Sequence, residues 1–373
     1  MIIDTHGHLV PPDLLAAIPK EAAKMPSLRL VAQDSGLALA FGNAKPTRPA
    51  MKGLSDIAAR VAWMDKQGID KHIVGGWPDW FGNDLPASEG EIWCKLINEA
   101  LLAACKAQPR FVALAALPMQ DGAMAAKVLK DAMNAGCRGA MISTLPRGIG
   151  SVLDAPDLDP FWRAADDTGA VIHIHPAFDA GESRVHDYGL ANGVGRVADA
   201  LVAMSRLAMS GHPVKYKNAK IFAPIGAAGL PFVVGRLKRN HDITPGTHDP
   251  VEALHLMYTD TIEHDPRVLR FVVEMMGADR IMLGSDMPFP IGDHEPRKIV
   301  EAAGLVLWQR RNPTSPLGPP NAARILTFLG AGGSLVAAMI FHRRVDASPQ
   351  GFARAMMAAL VLHLWHIGVL RRR

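Results

Sequence analysis

Cysteine is scarce: Cys94, Cys105 and Cys137 are the only three in 373 residues, and no two of them form a Cys-x-x-Cys pair. That argues against a disulfide framework or a thiolate zinc ribbon and points to a reducing compartment, the cytoplasm. Neither sign of charge dominates. Forty Lys and Arg stand against 36 Asp and Glu, a formal net charge of +4, so nothing in the balance supports nucleic-acid binding. There is no Gly-x-Ser-x-Gly elbow and no His-Glu-x-x-His helix, and Gly226 to Gly229 lacks the Lys-Ser/Thr of a phosphate loop. Long apolar runs are few. Residues 352–370, FARAMMAALVLHLWHIGVL, are 19 in number against the roughly 20 needed to cross a bilayer, and Arg354, His363 and His366 interrupt them. That segment reads first as a helix packed on the rest of the molecule or on a second subunit, with membrane contact the lesser alternative.

What is present is an ordinary globular composition, 49% hydrophobic and 20% charged, in a length that one large α/β domain can fill. The opening MIIDTHGH reads as a strand and not as a signal segment. Strands are expected at about 1–6, 72–77, 111–117, 138–143, 170–175, 219–224, 256–261 and 280–285, each followed by helical spacing. Eight such units match a closed parallel (β/α)8 barrel of the TIM type. A doubly wound open sheet alternates in the same way, and the barrel is preferred because polar chemistry recurs at so many strand ends. Residues 9–60, interrupted by Pro11, Pro12, Pro26, Pro46 and Pro49, read as an inserted cap, and residues 177–200 as a second long loop. The barrel is expected over residues 1–330 and a helical or disordered extension over 331–373.

Histidines and a carboxylate stand at three of those strand ends. In Asp4-Thr5-His6-Gly7-His8 the alternation of a strand puts His6 and His8 on one side, where both can reach a single ion. The fifth strand ends Ile172-His173-Ile174-His175-Pro176; His175 lies nearer the mouth, and His173 is expected to be an interior, hydrogen-bonded residue. The eighth ends Leu283-Gly284-Ser285-Asp286. Together His6, His8, His175 and Asp286 offer three nitrogens and one oxygen, a donor set suited to Zn²⁺, with Mn²⁺ as the alternative.

These stretches, with Arg48-Pro49, Leu230-Pro231-Phe232-Val233-Val234-Gly235-Arg236, Tyr258-Thr259-Asp260-Thr261, His264-Asp265-Pro266 and Ser285-Asp286-Met287-Pro288-Phe289-Pro290, resemble the amidohydrolase-related superfamily, specifically its aminocarboxymuconate-semialdehyde decarboxylase type. The resemblance spans roughly residues 1–330. It implies a metal-dependent hydrolase-type barrel, a divalent metal on His6, His8, His175 and Asp286, and non-oxidative decarboxylation of a small unsaturated or aromatic carboxylic acid. It further implies substrate-carboxylate contacts from Arg48 and from Arg236, the latter supplied by the neighbouring subunit of a homodimer. A guanidinium suits that task because it presents paired donors to a planar carboxylate.

One position departs from the family pattern. Where relatives carry a catalytic histidine at the sixth strand, counting back from Leu230-Pro231 places Ile225, whose hydrocarbon side chain cannot transfer a proton. His212 is too far upstream to replace it. A positioned base contributes about 10² to 10⁴ in rate, so the loss leaves three readings: an impaired decarboxylase, with Asp286 carrying the proton; a hydratase or hydrolase of an unsaturated dicarboxylate or lactone; or a catalytically inactive metal-binding homologue.

Overall fold

The computed structural model describes residues 1–33, 36–177 and 179–307; the extension expected at 331–373 lies outside them. The strands in chain order are β1 (Ile3–His8), β2 (Leu28–Gln33), β3 (Gly36–Phe41), β4 (Lys71–Gly75), β5 (Phe111–Ala113), β6 (Gly139–Ser143), β7 (Val171–His175), β8 (Lys220–Ala223) and β9 (Tyr258–Thr259), all but β2 and β3 short, largely buried runs in parallel pairing. β1, β4 and β5 pair in parallel, as do β6, β7, β8 and β9. Parallel bridges from Ala115 to Ala140, Thr259 to Ile281 and Gly7 to Met287 join these groups into a ring.

The eighth stave, residues 281–287, is irregular but bonded on both sides. Met282 N donates to Thr259 O at 2.7 Å, Thr5 N to Leu283 O at 2.8 Å, and Asp286 N to His6 O at 2.8 Å. All eight expected strand positions thus take part in one distorted barrel. Strands buried on both faces need not alternate in hydropathy, which is why β6 reads as an almost continuous apolar run.

Helices cover the ring. The helix Ala87–Ala107 buries Trp93, Ile97, Leu101 and Ala104, spaced as one apolar stripe. Asp56 and Asp121 cap the helices Ile57–Gln67 and Gly122–Ala135, which end on left-handed Gly68 and Gly136. Between β1 and the helix Ile57–Gln67 the chain makes an excursion holding the helix Pro12–Glu21 and the antiparallel β2–β3 hairpin. The stretch expected as one loop over 177–200 instead turns helical before its end: a π-helical turn at Ala191–Gly195 leads directly into the helix Arg196–Met209. No helix among the described residues is long and apolar enough to cross a membrane.

Candidate metal centre

The C-terminal ends of β1 and β7 and the irregular eighth stave meet at one mouth of the barrel. There His6, His8, His175 and Asp286, all buried, each direct a ligand-type atom to a point where those atoms lie within 4.8 Å of one another. The ring centroids of His8 and His175 are 4.9 Å apart, those of His6 and His8 5.3 Å.

The outward-facing nitrogens fix the tautomers. Nδ1 of His6 lies 2.7 Å from an Asp260 carboxylate oxygen, Nδ1 of His8 3.0 Å from the Gly76 carbonyl, and Nδ1 of His175 2.9 Å from the Pro176 carbonyl. Carbonyls, and a carboxylate, only accept, so each Nδ1 carries the hydrogen and each Nε2 presents a lone pair to the centre. Asp286 Oδ1 stands 3.0 Å from His8 Nε2 and 3.5 Å from His6 Nε2. None of these three inward atoms has a hydrogen bond. Buried lone pairs converging on a carboxylate are costly unless a cation sits among them, and this donor set fits a divalent metal ion.

The surroundings tune the group. Burial opposes protonation of His6, but the Asp260 hydrogen bond and the nearby carboxylates outweigh it and raise the imidazole above its usual range. Burial holds His8 below that range and His175 well below it. Burial alone would raise the Asp286 carboxyl; His8 and His6 beside it win and hold it low.

Underneath, Asp4 accepts from the His6 and Ser285 amides, each at 3.1 Å, and from the Ser285 hydroxyl. Burial pushes its carboxyl up to about 7 against those bonds. Arg60 Nη2 donates to the His8 carbonyl at 3.1 Å, fixing the strand from the other side. Gly7 has no alternative: a Cβ there would lie 2.0 Å from His72 Nε2.

His173 does not join the cluster. Its ring lies 4.4 Å from that of His6, stacks on Phe222 at 4.5 Å, and borders an apolar cavity of about 520 Å³ lined by Met1, Ile3 and Leu283. It is interior as expected, but its Nε2 has no hydrogen-bond partner, so it is not the hydrogen-bonded residue the sequence reading expected.

Above the cluster a cavity of about 480 Å³ is bordered by His6, His175, Asp286, Arg196, Ile225 and Glu263, among others. Ile225 borders this cavity together with His6, His175 and Asp286, with a left-handed backbone (φ 56°, ψ 60°) that a β-branched residue rarely adopts. Its N–H donates to Asp260 Oδ1 at 2.8 Å, so one carboxylate both orients His6 and holds this turn.

Neither arginine singled out in the sequence borders the cavity. Arg48 is exposed and pairs with Asp79, Nη2 to Oδ2 at 3.1 Å, with its guanidinium 5.8 Å from the Trp77 ring. Arg236 is exposed on the helix Leu230–Ile243. The arginine that does border it is Arg196, half-buried at the start of its helix. Burial lowers its pKa, with Asp79 and Asp286 opposing.

The sequence reading missed Arg196, Asp260 and Glu263. Asp260 carried a signal, a carboxylate directly after an apolar strand. Arg196 carried none, since its position depends on the π-helical turn before it.

Residues 3–327 match the family model described as Amidohydrolase. The chain belongs to the amidohydrolase family. Among curated members, the 2-amino-3-carboxymuconate-6-semialdehyde decarboxylase of Dictyostelium discoideum is 26% identical over 255 residues, 66% of this chain and 70% of its own. The fold matches that of 5-carboxyvanillate decarboxylase from Sphingomonas paucimobilis, with a TM-score of 0.65 and 21% identity, covering 81% of this chain and 92% of that one. It also matches the Novosphingobium aromaticivorans 5-carboxyvanillate decarboxylase, solved with manganese and 4-hydroxy-3-methoxy-5-nitrobenzoic acid, with a TM-score of 0.64 and 20% identity over 80% of this chain and 89% of that one. The matching amidohydrolase relatives are decarboxylases.

Proposed function

We propose that this amidohydrolase is a metal-dependent carboxy-lyase that removes carbon dioxide, without redox chemistry, from a small aromatic or unsaturated carboxylic acid. The observation that carries the reading is the convergence of three Nε2 lone pairs and one carboxylate at a cavity that an arginine also borders. His6, His8, His175 and Asp286 hold the ion, manganese or zinc; the manganese found in the Novosphingobium relative supports the former. When bound, the ion polarises substrate oxygens and stabilises the negative charge left as carbon dioxide departs.

The chain's own residues do the rest. Asp260 keeps His6 in its metal-binding tautomer. Arg196 meets the substrate's carboxylate or a neighbouring anionic oxygen with paired donors at the cavity wall. Arg48 adds positive charge at the rim. Arg236 acts from a second copy: it shares a helix face, one turn on, with Phe232, which is 83% exposed although it borders the cavity. That exposed apolar residue supports a homodimer joined through the helix Leu230–Ile243. Three unpaired cysteines, two of them buried, agree with a cytoplasmic enzyme.

The test is to supply manganese-loaded protein with 2-amino-3-carboxymuconate-6-semialdehyde, γ-resorcylate and 5-carboxyvanillate, and to measure carbon dioxide. Release from at least one acid is expected. A hydrated product without the gas would favour the hydratase alternative, and no turnover on any acid by metal-loaded protein would favour an inactive homologue.

A further inference from the structure

Glu263 has no part in the chemistry so far described, and its placement is unusual. It lies three residues after Asp260 and borders the same cavity as His6, His175, Asp286 and Ile225. Both of its carboxyl oxygens are sealed from solvent, and neither has a hydrogen-bond partner. The side chain packs against the α-carbon of Gly226: a Cβ there would lie 2.7 Å from Glu263 Cγ and 2.8 Å from Oε1. The carboxyl therefore stands against the residue that follows Ile225, at the turn where the sequence reading expects a proton-transfer group and finds a hydrocarbon. Burial, reinforced by Asp260, pushes this carboxyl up to about 9, so it holds its proton at neutral pH. Asp286 is opposite in kind, a low-lying carboxylate committed to His6 and His8.

We propose that Glu263 is the proton donor of the reaction, its carboxyl hydrogen taking the place of carbon dioxide on the substrate carbon. The assignment rests on the decarboxylase reading. The carbon–carbon bond to the carboxylate breaks, its electron pair stays on the substrate carbon, and carbon dioxide leaves. That electron pair takes the proton from a Glu263 oxygen, which a rotation of the unbonded side chain turns from its sealed position into the cavity it borders. The resulting Glu263 carboxylate regains a proton from water, and the hydroxide left combines with carbon dioxide, so the sum is acid anion plus water giving R–H plus hydrogencarbonate. The charged and titratable groups around Glu263 are His6, His175, Arg196, Asp260, His264 and Asp286.

The experiment compares manganese-loaded wild type, E263Q and E263D for metal content, kcat, KM and pH profile on whichever acid releases carbon dioxide. E263Q is expected to keep its metal and to lose about 10² to 10⁴ in kcat with little change in KM. It should also lose the alkaline fall in kcat that the wild type shows as Glu263 ionises. E263D, whose oxygen is withdrawn by one methylene, should fall between them. A second readout needs no turnover: folded Glu263 keeps its proton to a higher pH than the unfolded chain does. Wild type should therefore lose thermal stability relative to E263Q as pH rises from about 5 toward 9. Carbon dioxide release by E263Q at the wild-type rate, or parallel melting of the two proteins across that range, overturns the assignment to Glu263 alone. If E263Q loses its metal, an unchanged kcat in E263D does the same. No carbon dioxide from any of the three proteins overturns the decarboxylase reading, and this assignment with it.

Discussion

Three imidazoles whose Nδ1 hydrogens all point outward leave their Nε2 lone pairs one direction to face, and the Asp286 carboxylate closes that direction. The arrangement depends on partners that touch no metal. Asp260 is the sharpest case, because it serves His6 and the turn at Ile225 together. Asp260→Asn can present an N–H to His6 Nδ1 and so reverse the tautomer. Metal affinity should fall about 10- to 100-fold, as measured by competition with a chelator; unchanged affinity would remove Asp260 from the account. The four ligand-type residues were legible in the sequence because strand alternation and strand ends locate them without tertiary information. Arg196 and Glu263 were not. One is placed by a π-helical turn, and the other sits in a Glu-His-Asp run that reads as a solvated loop until the packing against Gly226 is seen.

At the scale of elements, β1 is the critical stave. It carries two of the four donors, and Gly7 between them lets His72 of β4 approach so closely that no side chain fits. Gly7→Ala must push β1 away from β4, a change that overpacking elsewhere puts at about 1–3 kcal/mol. A lower denaturation midpoint together with weakened metal binding is expected, and an unchanged midpoint would show that β1 has room to yield. The strands themselves were legible from their apolar runs, including the irregular eighth, which ends on a left-handed Asp286. The boundary of the loop before Arg196 was not, because nothing in Ala-Asn-Gly-Val-Gly announces a helical turn.

The whole molecule buries neutral histidines. His72 and His173 lie well below the usual imidazole range through burial, and His212 is held at about 4 for the same reason. In the unfolded chain these groups take up protons near 6.5, in the folded chain only at lower pH. The stability they allow is therefore complete above about 6.5 and is lost as pH falls toward 4. Denaturation midpoints should decline through that window, and less steeply in His212→Asn; a flat profile would contradict the assignment. All residues of the proposed centre come from positions 4 to 286, so a chain ending near Leu329 should keep its metal and turnover. Loss of either would give residues 330–373 a part in the site.

The central claim is that four side chains from three staves share one divalent ion. It is tested most directly by elemental analysis of protein stripped with a chelator and reloaded with manganese or zinc. About one tightly held ion per chain is expected, lost in His8→Ala and retained in His173→Ala. A reloaded wild type with no stoichiometric ion, or an ion that survives His8→Ala unchanged, would contradict it.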